Sequence, residues 1–331
     1  MIEQLLQMHW RLQPPFQIEQ VTTGLNNQTY RVRCSDDDVF FLKHYQNADA
    51  GARVEFEQML LQALSQSNLP FAVPAALSTA TGEAVTRMPD GGALSLTHRI
   101  SGRPGWRGDP ALALGAGHAL ALLDVAMAQT GLNPAIDIPS TFGALTSEHP
   151  AIPDVSRAVH AVFHDREMAT AIEATLVSAE RRWRLSTAGW PTQIIHGDYF
   201  PPNVLVTDGK VSGVIDFEFA GTGHRAMDFA IGLVAFGAPH KTFVPMWQGM
   251  EAFATGYLPT NPISDDERAS MPDLILMCEA SSLVHWLGRL NQGLVSPDEL
   301  QRRGRRLLEV KDWLAAHGRD LVQRLAVDCL S

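Results

Sequence analysis

Apolar and polar positions follow one pattern over the first hundred residues of this chain and another over the rest. Residues 17–23, 28–34 and 39–45 read as extended runs, separated by the tetrapeptide GLNN at 24–27 and an acidic run at 36–38. Gly, Asn and Asp tolerate the backbone of tight turns, so connections this short predict an antiparallel meander. A helix is predicted over 52–65, where Phe56, Met59, Leu60, Ala63 and Leu64 recur at the spacing of one helical face. Pro70 and Pro74 then break the chain. A further strand pair is predicted over 83–88 and 95–100, around a turn at Asp90-Gly91-Gly92.

Beyond the pentapeptide SGRPG at 101–105 the period lengthens to that of helix. Residues 111–128 are rich in Ala and Leu, and 155–185 hold one or two helices. Three short strands interrupt, at 192–195, 204–207 and 213–219. Helices then fill about 226–236, 242–257, 272–290 and 297–314. The expected class is α+β and two-lobed. An antiparallel β-sheet with one helix forms the N-terminal lobe, residues 1–100, with a hinge near 98–105. A mainly α-helical C-terminal lobe with a small β insert follows, residues 101–331. A chain of 331 residues exceeds one ordinary core, and a cleft between two lobes is where a ligand is expected.

Charge narrows the partners. The formal net charge is −10, which argues against general nucleic-acid binding, where basic side chains neutralise phosphates. The three cysteines, Cys34, Cys278 and Cys329, lie far apart and form no C-x-x-C pair. That pattern suits a reducing cytoplasm better than a disulfide framework or a zinc site. The N-terminus lacks a basic region followed by an apolar one, so no secretory leader is expected. No window reaches the roughly 18 consecutive apolar residues of a membrane span. The most apolar stretch, 229–238, reads as a buried helix. The expected partner is a small molecule, with neither nucleic acid nor membrane, and the chain is expected to be a monomer or a homodimer.

Two segments carry chemistry: IHGDYFPPNV at 195–204 and VIDFEF at 214–219. Phosphoryl transfer needs a carboxylate beside the attacking hydroxyl and oxygen ligands for the Mg²⁺ on the nucleotide phosphates. Asp198 supplies the first. Asn203, in the same loop, offers an amide oxygen and Asp216 a hard anionic one, the donor set Mg²⁺ prefers. Two prolines between Asp198 and Asn203 stiffen the loop. Strand alternation would put Val214, Asp216 and Glu218 on one face, opposite Ile215, Phe217 and Phe219. Carboxylates facing together in an apolar strand are costly without a cation. An HGD tripeptide alone is equally a turn with a core histidine; the company of Asn203 and Asp216 gives it chemical meaning. His196 reads as structural, holding the loop by hydrogen bonds.

The nucleotide should then be cradled by the first lobe. Gly24, Asn26 and Asn27 form a turn whose backbone N–H groups could face phosphates, although one glycine alone is a weak signal. Lys43 ends an apolar strand and needs a partner. Glu57, on the following helix, is the expected one, and a pair of this kind orients a lysine toward nucleotide phosphates. Glu55 is the rival, on the more polar side of the helix.

The segments GLNNQTYRV, FLKHY, the helix carrying Glu57, IIHGDYFPPNVLV and GVIDFEFAGTGHRAMDFAIGL together resemble the aminoglycoside phosphotransferase/choline kinase superfamily, which has a protein-kinase-like fold. FPPNV, IDFEFA and the helix segment SSLVHWLGRL are most similar to the type II homoserine kinase group. The resemblance covers nearly the whole chain. It implies ATP and Mg²⁺ as cofactors, Asp198 as catalytic base, and Asn203 and Asp216 as magnesium ligands. It implies Lys43 as the nucleotide lysine, Glu57 as its partner and Asp228 as a structural support for the loop. The linker ISGRPGW at 100–106 matches the segment where adenine docks. The implied function is an ATP/Mg-dependent kinase acting on a small-molecule hydroxyl, such as that of homoserine or a related amino alcohol. Alternatives are a choline/ethanolamine- or aminoglycoside-type kinase and a non-catalytic nucleotide-binding protein. Protein-kinase signatures are absent: no HRD, DFG, A-P-E or G-x-G-x-x-G.

The chain departs from the family pattern in two respects. Asp124 stands where the family often has a histidine. Glu279 and Val284 stand where homoserine kinases tend to carry arginines, while Arg289 remains. Trp286 and Arg289 are expected to wall the substrate, and Glu218 and Glu279 would suit a cationic one.

Overall fold

Short polar turns join neighbouring strands, so the first part of the chain closes on itself as an antiparallel sheet. The computed structural model describes every residue except 1, 22–26, 35–37, 46–50, 89–90, 107, 133–141, 146–150, 239–242, 244–245 and 327–331. Helix α1 (Ile2–Trp10) comes first. Then follow β1 (Gln17–Val21), β2 (Gln28–Arg33), β3 (Val39–Tyr45), α2 (Gly51–Ser65), β4 (Thr86–Arg87) and β5 (Ala93–His98). The sheet order is β1-β2-β3-β5-β4, with every neighbouring pair antiparallel. Register places Lys43 between Thr29 and Ser95. Alternation along β3 sends Phe40 and Leu42 into a cluster with Val32, Leu94, Leu96 and the α1 side chains Leu6 and Trp10. Lys43 and Tyr45 lie on the opposite face, toward α2. The sequence pattern does not reveal α1. Only Leu6 and Trp10 of its nine residues are buried, too few anchors to show a period, and Trp10 Nε1 is tied to the Leu77 carbonyl at 3.1 Å.

The rest of the chain is helical around two small sheets. It runs β6 (Arg103–Pro104), α3 (Pro110–Gln129), α4 (Val155–Val162), α5 (Arg166–Ser186), β7 (Gln193–Ile195), β8 (Val204–Thr207), β9 (Lys210–Val214) and β10 (Gly221–Gly223). Helices α6 (Arg225–Gly237), α7 (Trp247–Tyr257), α8 (Asp265–Ala269), α9 (Met271–Asn291) and α10 (Pro297–Arg324) complete it. β7 pairs with β10, and β8 lies between β6 and β9, all antiparallel. The fold is two-lobed and α+β. A bridge between Ala72 and Gly213 ties the segment after α2 to β9. The last helix extends ten residues past the expected end at 314, because Gly318 and Leu321 continue its buried face. β10, only three residues long, was not expected, and the strand expected over 213–219 stops at Val214.

Local chemistry starts the helices where they lie. Asp109 caps α3, accepting from the Ala111 N–H at 2.9 Å, and Pro110 occupies the first turn. α3 is long and apolar enough to cross a membrane by length and composition. Here it is a core helix, with Ala116, Leu120 and Leu123 fully buried. It crosses α7 so closely that backbones touch. A Cβ on Gly117 would stand 2.0 Å from the Phe253 carbonyl oxygen, and one on Gly256 would stand 2.0 Å from that of Leu114. This crossing anchors the parts that reach the site, since Tyr199 and Tyr257 both bond to α3. Gly256→Ala must push the two helices apart and should therefore cost about 2 kcal/mol or more of unfolding free energy in urea. Unchanged stability would show that the crossing yields without strain.

Candidate active site

The loop after β7 is held at both ends and from below. His196 is fully buried. Its N–H donates to Asp228 Oδ2 at 2.5 Å, and the Gly197 N–H donates to Asp228 Oδ1 at 2.8 Å. Asp228 lies in the first turn of α6, also fully buried. Gly197 has φ 76°, and a Cβ there would stand 2.7 Å from the Phe219 carbonyl oxygen, so the turn needs glycine. The Asp198 N–H donates to His196 Nδ1 at 3.2 Å, which leaves Nε2 to donate to the Ile215 carbonyl at 3.2 Å. One tautomer is thereby fixed, and the ring is neutral. Burial pushes the His196 pKa down to about 4, against some opposition from the Ile215 carbonyl. Below, the Tyr199 hydroxyl donates to the Ala116 carbonyl on α3 at 2.9 Å. Pro201–Asn203 form a 3₁₀ turn, and Asn203 Nδ2 donates to both the Asp198 carbonyl and Asp198 Oδ2, each at 3.0 Å. These bonds use the amide nitrogen, so the amide oxygen remains the group a cation would take.

The second segment reaches the site by a turn, not a pleat. β9 ends at Val214, the Ile215 N–H donates to the Asn203 carbonyl at 2.9 Å, and Asp216 has φ 68°. Strand alternation therefore does not explain how the acids converge. A left-handed residue, which Asp tolerates better than a β-branched side chain, swings Asp216 out of the strand. Lys43 Nζ stands 3.3 Å from each of Glu57 Oε1, Asp216 Oδ1 and Glu218 Oε2. Asn27 Nδ2 donates to Glu218 Oε2 at 2.6 Å, and Arg53 Nη1 donates to the Glu218 carbonyl at 3.2 Å.

This crowding sets the protonation of the cluster. Burial alone would lower the Lys43 ammonium; Glu57, Glu218 and Asp216 outweigh it and hold its pKa well above the ordinary value. Glu57 is also raised, because burial outweighs the ammonium at that carboxylate. Burial and then Glu218 push Asp216 up to about 6. Burial, Asp216 and Glu218 hold Asp198 well above the usual carboxylate range. The Asp216 carboxylate and the Asn203 amide oxygen are the kind of hard oxygen donor a divalent cation takes.

Other expected residues fall near or away from this centre. Gly24 and Asn26 lie outside the described residues, whereas Asn27 is at the site. The His285 ring of α9 packs 5.6 Å from Phe219. Arg289, one turn on, is buried and feels the charge of Glu218. Trp286 lies under the Arg303 guanidinium at 3.8 Å. Glu55 pairs with Arg87 and leaves Glu57 to Lys43. Glu279 corrects an expectation: it is buried in a pair with Arg306, with contacts at 2.7–3.0 Å. It therefore answers an internal cation, not a cationic substrate. Sequence reasoning missed Arg53, an exposed-looking position on α2. It also gave no role to Asp124, whose signal was a carboxylate inside an Ala/Leu-rich helix.

Comparison with known proteins bears directly on this geometry. The family model described as the phosphotransferase enzyme family matches residues 17–263. The chain belongs to this family. A homoserine kinase of Gluconobacter oxydans (strain 621H) is 28% identical over 279 residues, 84% of this chain and 83% of that relative. A homoserine kinase of Xanthobacter autotrophicus is 35% identical over 136 residues, 40% of this chain and 41% of that one. An amicoumacin kinase solved with AMP-PNP and Ca²⁺ superposes with TM-score 0.70 at 16% identity, covering 94% of this chain and 92% of its own. A microcompartment-associated aminopropanol kinase gives TM-score 0.66 at 14% identity, covering 98% and 99%. At such identities the two structures speak for the fold. The superfamily and the homoserine-kinase-like group read from the motifs are borne out, and this phosphotransferase is an enzyme acting on a small molecule.

The buried imidazole of the phosphotransferase makes its stability depend on pH. Above the ordinary pKa of 6.5, His196 is neutral in both folded and unfolded chains. As pH falls, only the unfolded chain takes up the proton, so stability is lost between 6.5 and about 4. Asp228, pushed up to about 6 chiefly by burial, works in the opposite direction, so a difference measurement is required. From pH 7 to pH 5 the wild type should lose roughly 2 kcal/mol more unfolding free energy than His196→Asn. Parallel pH profiles for the two proteins would contradict a neutral buried His196.

Proposed function

We propose that this phosphotransferase uses ATP and Mg²⁺ to phosphorylate the side-chain hydroxyl of homoserine in the cytoplasm. The observation that carries the reading is the convergence of Lys43, Glu57, Asp216 and the Asp198–Asn203 pair from four separate elements. Residues 1–100 would hold the nucleotide, with 98–105 as hinge, and residues 101–331 would hold the acceptor. The turn at 24–27 would cover the phosphates, Gly24 and Asn26 by their backbone and Asn27 from its place beside Glu218.

Each side chain has a task that its surroundings support. Glu57 holds the Lys43 ammonium, which is directed at phosphate oxygens. The Asn203 amide oxygen and the Asp216 carboxylate would hold Mg²⁺, a hard cation that favours such oxygens. When bound, the cation would screen phosphate charge and lower the pKa of the crowded carboxyls around it. Asn203 fixes the Asp198 carboxylate so that it faces the acceptor. The acceptor oxygen attacks the γ-phosphorus, the bond to the ADP oxygen breaks, and Asp198 takes the hydroxyl proton. Burial and neighbouring acids raise the basicity of Asp198, which suits that role.

Homoserine is the first acceptor because a curated relative aligned over 84% of this chain is named for it. Arg289 on α9 supplies a buried cation close to the acids, and we assign it to the carboxylate of the amino acid. With Glu279 engaged by Arg306, one reason to expect a cationic acceptor is gone. Glu218 keeps an amino alcohol such as ethanolamine as the second reading.

A coupled ADP-release assay with Mg-ATP and homoserine, choline, ethanolamine and an aminoglycoside separates the readings. Homoserine turnover is expected. Asp198→Asn should lower kcat by about 10²–10⁴-fold with ATP binding retained. Arg289→Ala should raise the KM for homoserine by roughly tenfold. Full activity in Asp198→Asn would remove the assigned base. Ethanolamine turnover without homoserine turnover would replace the acceptor.

A further inference from the structure

Two carboxyl groups meet in the core behind the loop that carries Asp198. Asp124 of α3 and Asp228 of α6 are both fully buried, and their side chains stand within hydrogen-bonding reach of each other. The donors around them run in one direction. Arg225 Nη1 donates to Asn261 Oδ1 at 2.8 Å, Asn261 Nδ2 to the Tyr257 hydroxyl oxygen at 2.8 Å, and the Tyr257 hydroxyl to Asp124 Oδ2 at 2.6 Å. Asp124 Oδ1 has no hydrogen-bond donor among the described residues. Two ionised carboxylates in contact would both be acceptors, and their repulsion would be unscreened. A single proton between them removes the repulsion and satisfies Oδ1 as a donor.

The hydrogen-bond pattern says where that proton sits. Asp228 already receives two backbone N–H groups, which favour its ionised form. Asp124 receives one neutral hydroxyl. We infer that Asp124 is a positioning residue that works as a neutral carboxylic acid, donating from Oδ1 to Asp228 and so bracing the His196–Gly197 backbone that leads to Asp198. Charge around the pair agrees. Burial, and then Asp228, hold Asp124 well above the usual carboxylate range, whereas Asp228 is pushed only to about 6. Arg225, the cation on the α6 side, is engaged by Glu267 of α8 at 3.0 Å. Tyr257 on α7 and Tyr199 on the loop are pushed well up by burial and stay neutral. On the remaining side, Gln193 of β7 presents only an amide, bonded to the Asp124 carbonyl at 3.1 Å.

The link to catalysis rests on the kinase reading, but the test needs no substrate, so the two stand or fall separately. Asp124→Asn is close in shape, and its amide N–H can still donate to Asp228. At pH 7 the infrared spectrum of wild type minus Asp124→Asn should contain the C=O band of one protonated carboxylic acid. A difference showing only carboxylate bands would overturn the assignment. Hydrogen exchange at the His196 and Gly197 amides gives the second readout. Their protection should stay within about threefold of wild type in Asp124→Asn and fall by about tenfold or more in Asp124→Ala. It should also decline at alkaline pH in the wild type and not in Asp124→Asn, after correction for intrinsic exchange. Equal loss of protection in both variants would mean that the proton is not what braces the loop. Should Asp124→Ala fail to fold, the infrared comparison and the alkaline profile of Asp124→Asn still decide.

Discussion

Lys43 is the point at which the sheet and the helical part become one site. Its ammonium sits on the α2-facing side of β3 and meets carboxylates from α2 and from the turn after β9 at equal distances. A buried lysine without partners would lose its charge. Three acids without a cation would be as costly. The arrangement is therefore stable only as a group, and it ties β3 and α2 to the turn after β9. Asn27 and Arg53 follow the same logic, since both reach across to Glu218. Beside this charged contact, Phe56, Leu60 and Leu64 of α2 share one apolar core with α3, so both kinds of contact join the lobes.

Behind the charged centre the problem is reversed. The loop carrying Asp198 must be precise, yet its backbone enters an apolar core where every N–H needs an acceptor. Asp228 supplies two, His196 serves a third, and Tyr199 ties the loop to α3. The close crossing of α3 and α7 then brings Tyr257 to Asp124, so that helix packing and loop geometry are set by the same contacts. Glycine at 117 and 256 is what lets the crossing be that close.

The parts that follow a period were legible in the sequence, and the parts that follow a single residue's backbone were not. β1 to β3 appeared close to their true bounds because polar turns punctuate them, and α2 and α9 because apolar residues recur along them over a helical length. Asp198, Asn203, Asp216, Lys43 and Glu57 were readable as a set because phosphoryl transfer demands those residue types. The path of 215–219 was not, since a left-handed Asp216 cancels the alternation that a strand would show. α1 escaped because two anchors make no pattern. Glu279 was read toward a cationic substrate because its partner, Arg306, lies on another helix, and sequence spacing carries no record of that contact.

The same division explains why activity is easier to read than acceptor. Asp198, Lys43, Asn203 and Asp216 sit on or just beyond strands and on one braced loop, where the backbone positions them. A solved relative at 16% identity keeps that backbone with TM-score 0.70, so the frame tolerates wide change in side chains. The proposed acceptor would be held elsewhere, on the face of α9 that carries His285 and Arg289 toward Phe219 and Glu218. Helix faces exchange side chains without moving the backbone. Side-chain changes on such a helix can therefore turn one phosphotransferase toward an amino acid and another toward an amine, while the loop keeps its backbone. On the reading proposed above, Arg289 against Glu218 is where that choice would be made in this chain, because they are the opposite charges an acceptor would meet first.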